Sequence, residues 1–436
     1  MEVCKKGLKK FLGEIMRRIW FYPKKPASFR LLWNIVVCLT IGLNSFGCQK
    51  IESNRVCLVS SLPRTGVSRQ LSDEVVRGIR LAIDEVKAKA GRFTLEYRDL
   101  DNSAAASGRW TSEGEAANAR MAVQDSDVMA YIGTLNSGAA RVSMPILNYA
   151  DLLMVSPANT AVGLTKPGLG LPGEPNVYRP SGRLNYIRVV PADDLQGPLA
   201  ADWAFERGMR RVFVIDDAGV YGRGVASLFA DRCREQGMTV LDHVSIDPQA
   251  AEFKSFVGSV MSADPDLIYF GGSARTKGGQ LARDLVSAES EAILLVSDGC
   301  RTEAFLEAAG AASLEGRCFA TSAGLSPQQA DCDEKLLFLR YRQKYGTCPS
   351  NAAIHGYEAA RLVIRAIADV GQKDRRAIVE SAFASQVDDG VLGQWGIDAN
   401  GDTTLQEVSV SVVRDGKFVH EEVMSTAGIG KKDGSR

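Results

Sequence analysis

Two successive cycles of short apolar runs alternating with amphipathic ones constrain this chain's fold more than any other feature. The first cycle opens with RVCLVSSL (55–62), which reads as a strand. SDEVVRGIRLAIDEVKAKAG (72–91) then puts Val75, Ile79, Ala82, Ile83 and Val86 on one helical face. Ser72 reads as its N-cap, Asp73 and Glu74 complement the dipole, and Gly91 reads as the stop. FTLEYRD, VMAYIGT and LLMVS follow as strands, separated by helical SEGEAANARMAVQ and GAARVSMPILNYA. This β-α-β-α-β-α-β order predicts a parallel sheet with helices on both faces, because each parallel crossover needs a connection long enough to be a helix.

A Pro/Gly-rich stretch, TKPGLGLPGEPNVYRPSG (165–182), separates the cycles, and YIRVVPADD leads into the second. Its strands are RVFVIDD, TVLDHVSI, DLIYFGG, AILLVSDG and RCFATS, with helices such as GVASLFADRCREQG and GGQLARDLVSAES between them. HGYEAARLVIRAIADVG (355–371) is a further apolar-striped helix, and the last segment predicts a hairpin with Asp415-Gly416 at its tip. With 436 residues the chain exceeds one core. The expected fold class is α/β: two doubly wound Rossmann-like lobes and a cleft between them, joined by a multi-strand hinge. Ligands in such sheets sit outside the carboxyl ends of the strands.

The formal net charge of zero hides an asymmetry. Nine of the 52 basic and two of the 52 acidic residues lie in 1–47, so the rest of the chain is acidic by seven. Nucleic acid is therefore not an expected partner. The basic leader precedes an apolar run, Leu31–Leu43, of signal-peptide length and short for a membrane span. The junction LNSFGCQK resembles a lipoprotein processing site with Cys48 as the lipidated residue, although Ser45 stands where Leu is preferred. An uncleaved anchor and plain secretion are the alternatives.

Of nine cysteines, Cys57, Cys233, Cys300, Cys318, Cys332 and Cys348 lie beyond the leader and Cys48. Export permits disulfides. A single helix over Asp333–Tyr345 would hold Cys332 and Cys348 about 20 Å apart, against about 7 Å tolerated by a disulfide, so this pairing is not expected.

Catalytic patterns are weak. His243, His355 and His420 lack ligand spacing, and there is no GxSxG or HExxH. GLGLPG matches GxGxxG formally, but Pro167 and Pro172 deny it a flanking strand and helix. GGSARTKGG lacks the Lys-Ser/Thr of a phosphate loop. No catalytic residue, metal or cofactor is expected. Binding chemistry is better represented. Ser137 and Gly138 stand where a strand ends and a helix begins, offering N–H groups and a hydroxyl to a carboxylate. Thr160 adds a hydroxyl and Ala158 a carbonyl; the plainer alternative is that Ser137 and Thr160 merely cap helices. Tyr221 and Asp298 follow strand ends in the second cycle; an aromatic there covers a ligand or packs on its own turn, and a carboxylate pairs with an ammonium or caps a helix. An anion cradle facing a carboxylate suits an α-amino acid.

GVSRQLSDEVVRGIRLAIDEV, YIGTLNSGAA, LLMVSPANT, RVVPADDLQGPLAA, RVFVIDDAGVYGRG, DLIYFGG, LLVSDG, HGYEAARL and DANGD occur in an order and spacing that resemble the type I periplasmic binding proteins of the Leu/Ile/Val-binding group. The likeness spans about residues 54–425. It implies that Ser137, Thr160 and the Ala158 main chain hold the ligand's α-carboxylate and amino group. It also implies that Tyr221 contacts the ligand, that Asp298 meets its ammonium, and that Asp193 lies near the lobe crossing. Asp298 is one methylene shorter than the usual Glu. Leu71, and Ser273 or Ala274, stand where such pockets often have aromatics, which puts leucine itself in doubt.

The implied organisation is a leader (1–47), a first lobe (48–192 and 321–391), a second lobe (193–320 and 392–425) and a flexible tail (426–436). The implied role is an extracytoplasmic, lipid-anchored receptor delivering an amino acid to an ABC permease. The alternative is a sensing or receptor domain for amides or small carboxylates. The 166–183 loop edges the cleft, contacts the transporter or is a solvated insertion.

Overall fold

The computed structural model describes residues 53–325, 332 and 335–426. Cys48 with the leader before it, Asp333 and Glu334, and the tail after Thr426 lie outside the described residues. Among the described residues no helix is long and apolar enough to cross a membrane.

The first sheet has six strands in the order β2-β3-β1-β4-β5-β6. These are β1 (Arg55–Leu62), the edge strand β2 (Lys89–Ala90), β3 (Phe93–Asp101), β4 (Val128–Gly133), β5 (Leu153–Ser156) and β6 (Tyr186–Arg188). All neighbours pair in parallel except β2 with β3. Its helices are α1 (Arg69–Glu85), α2 (Ser112–Gln124) and α3 (Ser137–Tyr149).

The second sheet has seven strands in the order β8-β7-β9-β10-β11-β12-β13. They are β7 (Arg211–Asp216), β8 (Thr239–Ser245), β9 (Leu267–Gly271), β10 (Ile293–Val296), β11 (Cys318–Ala323), β12 (Glu407–Arg414) and β13 (Lys417–Ser425). Here β7 to β11 pair in parallel, and β12 and β13 add an antiparallel edge. Asp415 and Gly416, both at positive φ, make the tip of that hairpin. Helices α4 (Asp193–Glu206), α5 (Val220–Glu235), α6 (Lys254–Ser262), α7 (Gly278–Ser287) and α8 (Glu303–Ala309) belong to this half of the chain. After α9 (Leu336–Tyr345), the chain returns to the first sheet with α10 (Asn351–Val370) and α11 (Arg375–Phe383).

The apolar stripe of α1 finds its partner in α10. Val75, Ile79, Ala82 and Ile83 are buried in one core with Ile354, Val363 and Ile367. Two glycines set the approach: a Cβ on Gly78 would lie 1.9 Å from the Ala353 carbonyl, and one on Gly356 2.4 Å from that of Val75. Val86 is 38% exposed, because α1 ends at Glu85 rather than at Gly91. Its start also differs from expectation. A 3₁₀ turn at Gly66–Ser68 feeds into α1 at Arg69, so Ser72 is an interior, buried residue and not an N-cap.

Cys332 and Cys348 form a disulfide with α-carbons 5.8 Å apart, against the sequence expectation. The error was the assumed length of the helix. Lys335 is extended, so α9 begins only at Leu336, and Gly346 ends it in a left-handed conformation. Its ten residues rise about 15 Å. Cys57, Cys233, Cys300 and Cys318 are buried free thiols.

The lobes join at three crossings. Arg188, at the end of β6, is fully buried. It donates from Nε to Asp402 Oδ1 (2.7 Å), from Nη1 to the Ala161 carbonyl (2.9 Å) and from Nη2 to Thr165 Oγ1. Lys166 also lies 3.2 Å from Asp402. Burial alone would raise the Asp402 carboxyl, but Arg188 and Lys166 hold it below the ordinary range. The third crossing passes Gly324, where a Cβ would sit 3.3 Å from His355 Nε2. His355 is therefore a core residue of the joint, its imidazole pushed down to about 4 by burial.

Candidate functional site

The strand ends of the first sheet present two turns stitched to each other. Ser156, closing β5, accepts hydrogen bonds on Oγ from the N–H groups of Asn159 (2.8 Å) and Ala158 (3.2 Å). Asn159 Nδ2 reaches back to the Thr134 carbonyl at 2.9 Å, and the Tyr186 hydroxyl donates to Asn159 Oδ1 at 3.2 Å. Ser137 opens α3 behind Asn136. Its Oγ accepts from the Ala161 N–H at 3.4 Å, so one lone pair is engaged across the two turns. The N–H groups of Ser137 and Gly138 are the first of the helix, where no preceding carbonyl can accept from them. The Trp110 ring covers this end: a Cβ on Gly138 would meet it at 2.8 Å. Ser137 and Thr160 are both buried, and Ala158 is partly so.

The second sheet supplies an acidic pole. The Tyr221 hydroxyl, in the first turn of α5, donates to Asp298 Oδ1 at the end of β10. Both residues keep some accessible surface although protein crowds them, as crevice linings do. Asp193 is fully buried at the start of α4, and its N–H donates to the Thr160 carbonyl at 2.9 Å. The Thr160 hydroxyl acts on the Asp193 carboxyl without reaching the geometry of a formed bond. Burial, then the charge of Asp298, pushes Asp193 well above the usual carboxyl range. Burial also raises Asp298, against the opposing pull of Tyr221. The charge of Asp298 disfavours ionisation of Asp193, and a cation entering beside them would relieve it.

Asp193, Thr160, Tyr221 and Asp298 are thus brought together, with Ser137 and Ala158 on the adjoining turns. Three neighbours were not foreseen. Gln196 shares a face of α4 with Asp193, donates to Thr321 Oγ1 at 3.0 Å and bears on Asp298; its i+3 spacing from Asp193 was a usable signal. Tyr269 is buried against Phe229, rings stacked 3.9 Å apart, with its phenol raised first by burial and then by Asp193 and Asp298. Inside an apolar strand it gave no signal. Arg275 lies in the GGSARTKGG segment, on a 3₁₀ turn at Ala274–Thr276. Its Nη1 donates to Ser68 Oγ at 2.7 Å, and its Nη2 to the Asn136 side-chain oxygen at 2.7 Å once that amide is turned to accept. Gln70 Nε2 similarly reaches Glu303 Oε2 at 3.3 Å, so the lobes touch across the cleft. A groove elsewhere, between α1 and α9, is lined by charges that pair among themselves, Arg340 with Glu85 and Lys344 with Asp84.

Two parallel sheets facing a cleft at their carboxyl ends, with three chain crossings behind it, define a two-lobed solute-binding fold. The sequence profile described as "Periplasmic binding protein" matches residues 60–417, and the chain belongs to that family. It is 28% identical over 369 residues to the Leu/Ile/Val-binding protein BraC3 of Rhizobium johnstonii, covering 83% of this chain and 92% of that one. The leucine binding protein LivK of Thermotoga maritima is 27% identical and superposes with a TM-score of 0.72, covering 85% of this chain and 99% of that one. A solute binding protein of an ABC transporter from R. palustris, solved with benzoate, shares the fold at 18% identity and a TM-score of 0.70, covering 85% and 96%. Membership of the family places the chain outside the cytoplasm.

Proposed function

We propose that this chain is the receptor of an ABC importer and closes on an α-amino acid between its lobes. The observation that carries this reading is the polarity of the cleft. Unbonded N–H groups open α3 on one side, and the Asp193–Asp298 pair, with Tyr221, stands on the other. A carboxylate suits the first and an ammonium the second. The names of BraC3 and LivK agree with an amino-acid ligand. A second reading, a small aromatic carboxylate, is favoured by the benzoate complex of the R. palustris relative. Such a ligand has no ammonium to offer the acidic pole, which then has only the cations Arg301 and Arg188 acting on it. A thermal-shift screen of amino acids, amides and small carboxylates tests the two, since a ligand that binds the native state raises the melting temperature. Stabilisation by carboxylates alone would overturn the amino-acid reading.

A further inference from the structure

Arg275 is held in place and forms no ion pair among the described residues. The Ser273–Thr276 capping box fixes its turn, and Thr276 Oγ1 anchors that turn to Asp217 Oδ2 at 2.7 Å. From there the side chain crosses to the first lobe and meets two neutral acceptors, Ser68 and Asn136. Among the described residues no carboxylate lies within 4.0 Å of it. Asp217 acts on it from farther away but already accepts from Thr276 and from the Gly219 N–H at 2.9 Å. The other charged neighbour, Arg109, repels it. Asn136 is also the N-cap of α3, so the guanidinium stands at the positive end of that helix. An enclosed cation in a positive field, with no anion beside it, is costly, and an anion entering the cleft removes the cost.

The bonds of Arg275 to Ser68 and Asn136 set the guanidinium across the cleft at the start of α3. If the ammonium meets Asp298 and the α-carboxylate meets the start of α3, the ligand's side chain faces what remains. Ser273 and Ala274, the residues before Arg275, are small and leave room for it. We infer that the ligand carries a second anionic group read by Arg275, so that the substrate class is a dicarboxylic α-amino acid. This rests on the amino-acid reading and names the side chain which that reading leaves open. An aliphatic side chain would leave the guanidinium only the α-carboxylate at the start of α3 to share, and discrimination comes from that shortfall.

Isothermal titration of the full chain with glutamate, aspartate, leucine and benzoate tests the inference, using wild type, Arg275→Met and Arg275→Lys. Wild type is expected to bind glutamate or aspartate at least about tenfold more tightly than leucine. Arg275→Met should abolish that preference, weakening glutamate and aspartate more than leucine. Arg275→Lys keeps the charge but not the planar fork, and should fall between. If Arg275→Met does not fold by its melting curve, the lysine variant carries the comparison. A wild-type preference for leucine overturns the second anion and leaves the amino-acid reading standing. Equal weakening of leucine and glutamate by Arg275→Met also overturns it, since Arg275 would then be a latch between lobes or a partner of the shared α-carboxylate. Binding of benzoate and of no amino acid overturns the amino-acid reading itself.

Discussion

Replacing Asp298 with asparagine removes one negative charge and almost no volume. The Tyr221 hydroxyl keeps an oxygen to donate to, so the turn after β10 has no reason to move. What changes is the partner offered to a ligand ammonium. Breaking an enclosed ion pair by neutralising one side costs about 3–5 kcal/mol. Two features of this site favour the low end: Asp193 remains within electrostatic reach, and Asp298 already shares a lone pair with Tyr221. A loss of about 3 kcal/mol weakens binding by about two orders of magnitude. Ser137→Ala makes the contrast. Its hydroxyl is already engaged by the Ala161 N–H at 3.4 Å, and the helix N–H groups survive the change. A hydroxyl bonded to a charged group contributes about 1.5–3 kcal/mol, and the low end corresponds to about tenfold. Isothermal titration of both variants against the confirmed ligand at neutral pH gives the comparison, with melting curves as the folding control. An Asp298→Asn affinity within about threefold of wild type, a difference of well under 1 kcal/mol, would refute the role given to this carboxylate.

The same carboxyls predict a pH dependence. An ammonium stabilises their ionised forms, so binding lowers their raised values, releases protons and strengthens as pH rises above the ordinary carboxyl range; titration in buffers of different ionisation enthalpy should register the release. For the unliganded protein the sign reverses: the stability these two groups contribute is fully present below their unfolded values and is lost as pH rises through the raised ones. The Cys332–Cys348 bridge spans 16 positions and should contribute about 3 kcal/mol, so a double serine variant should melt about 4 °C lower for a protein of this size, while thiol titration of unfolded wild type should show two additional groups after reduction. Cys48→Ala should release the protein from the membrane fraction or leave an uncleaved precursor; unchanged processing and attachment would show that Cys48 is not the lipidated residue.

What could be read from the sequence followed from local periodicity. Each strand that ends on a small polar turn was visible, because a buried parallel strand is apolar on both faces and its carboxyl end must turn toward solvent. Ser137, Thr160, Tyr221 and Asp298 stand out in the sequence as candidates for that reason. Ser72 misled because a serine before acidic residues resembles a cap, whereas the turn at Gly66–Ser68 had already started α1. The disulfide was missed because one extended residue, Lys335, shortens α9 and redirects the chain. Arg275 and Tyr269 depend on contacts between distant segments, and no local pattern marks such residues.

The threading of the chain between its sheets has a consequence for biogenesis. The stripe of α1 stays uncovered until α10 has been made, and β11 stays an open edge until β12 arrives. Neither half can complete its core from an N-terminal fragment, because each awaits a segment from near the end of the chain. Cores closed by such distant segments form slowly and late. A polypeptide wired in this way remains threadable through a narrow translocation pore for as long as it is being made, and it becomes compact only once nearly all of it has passed.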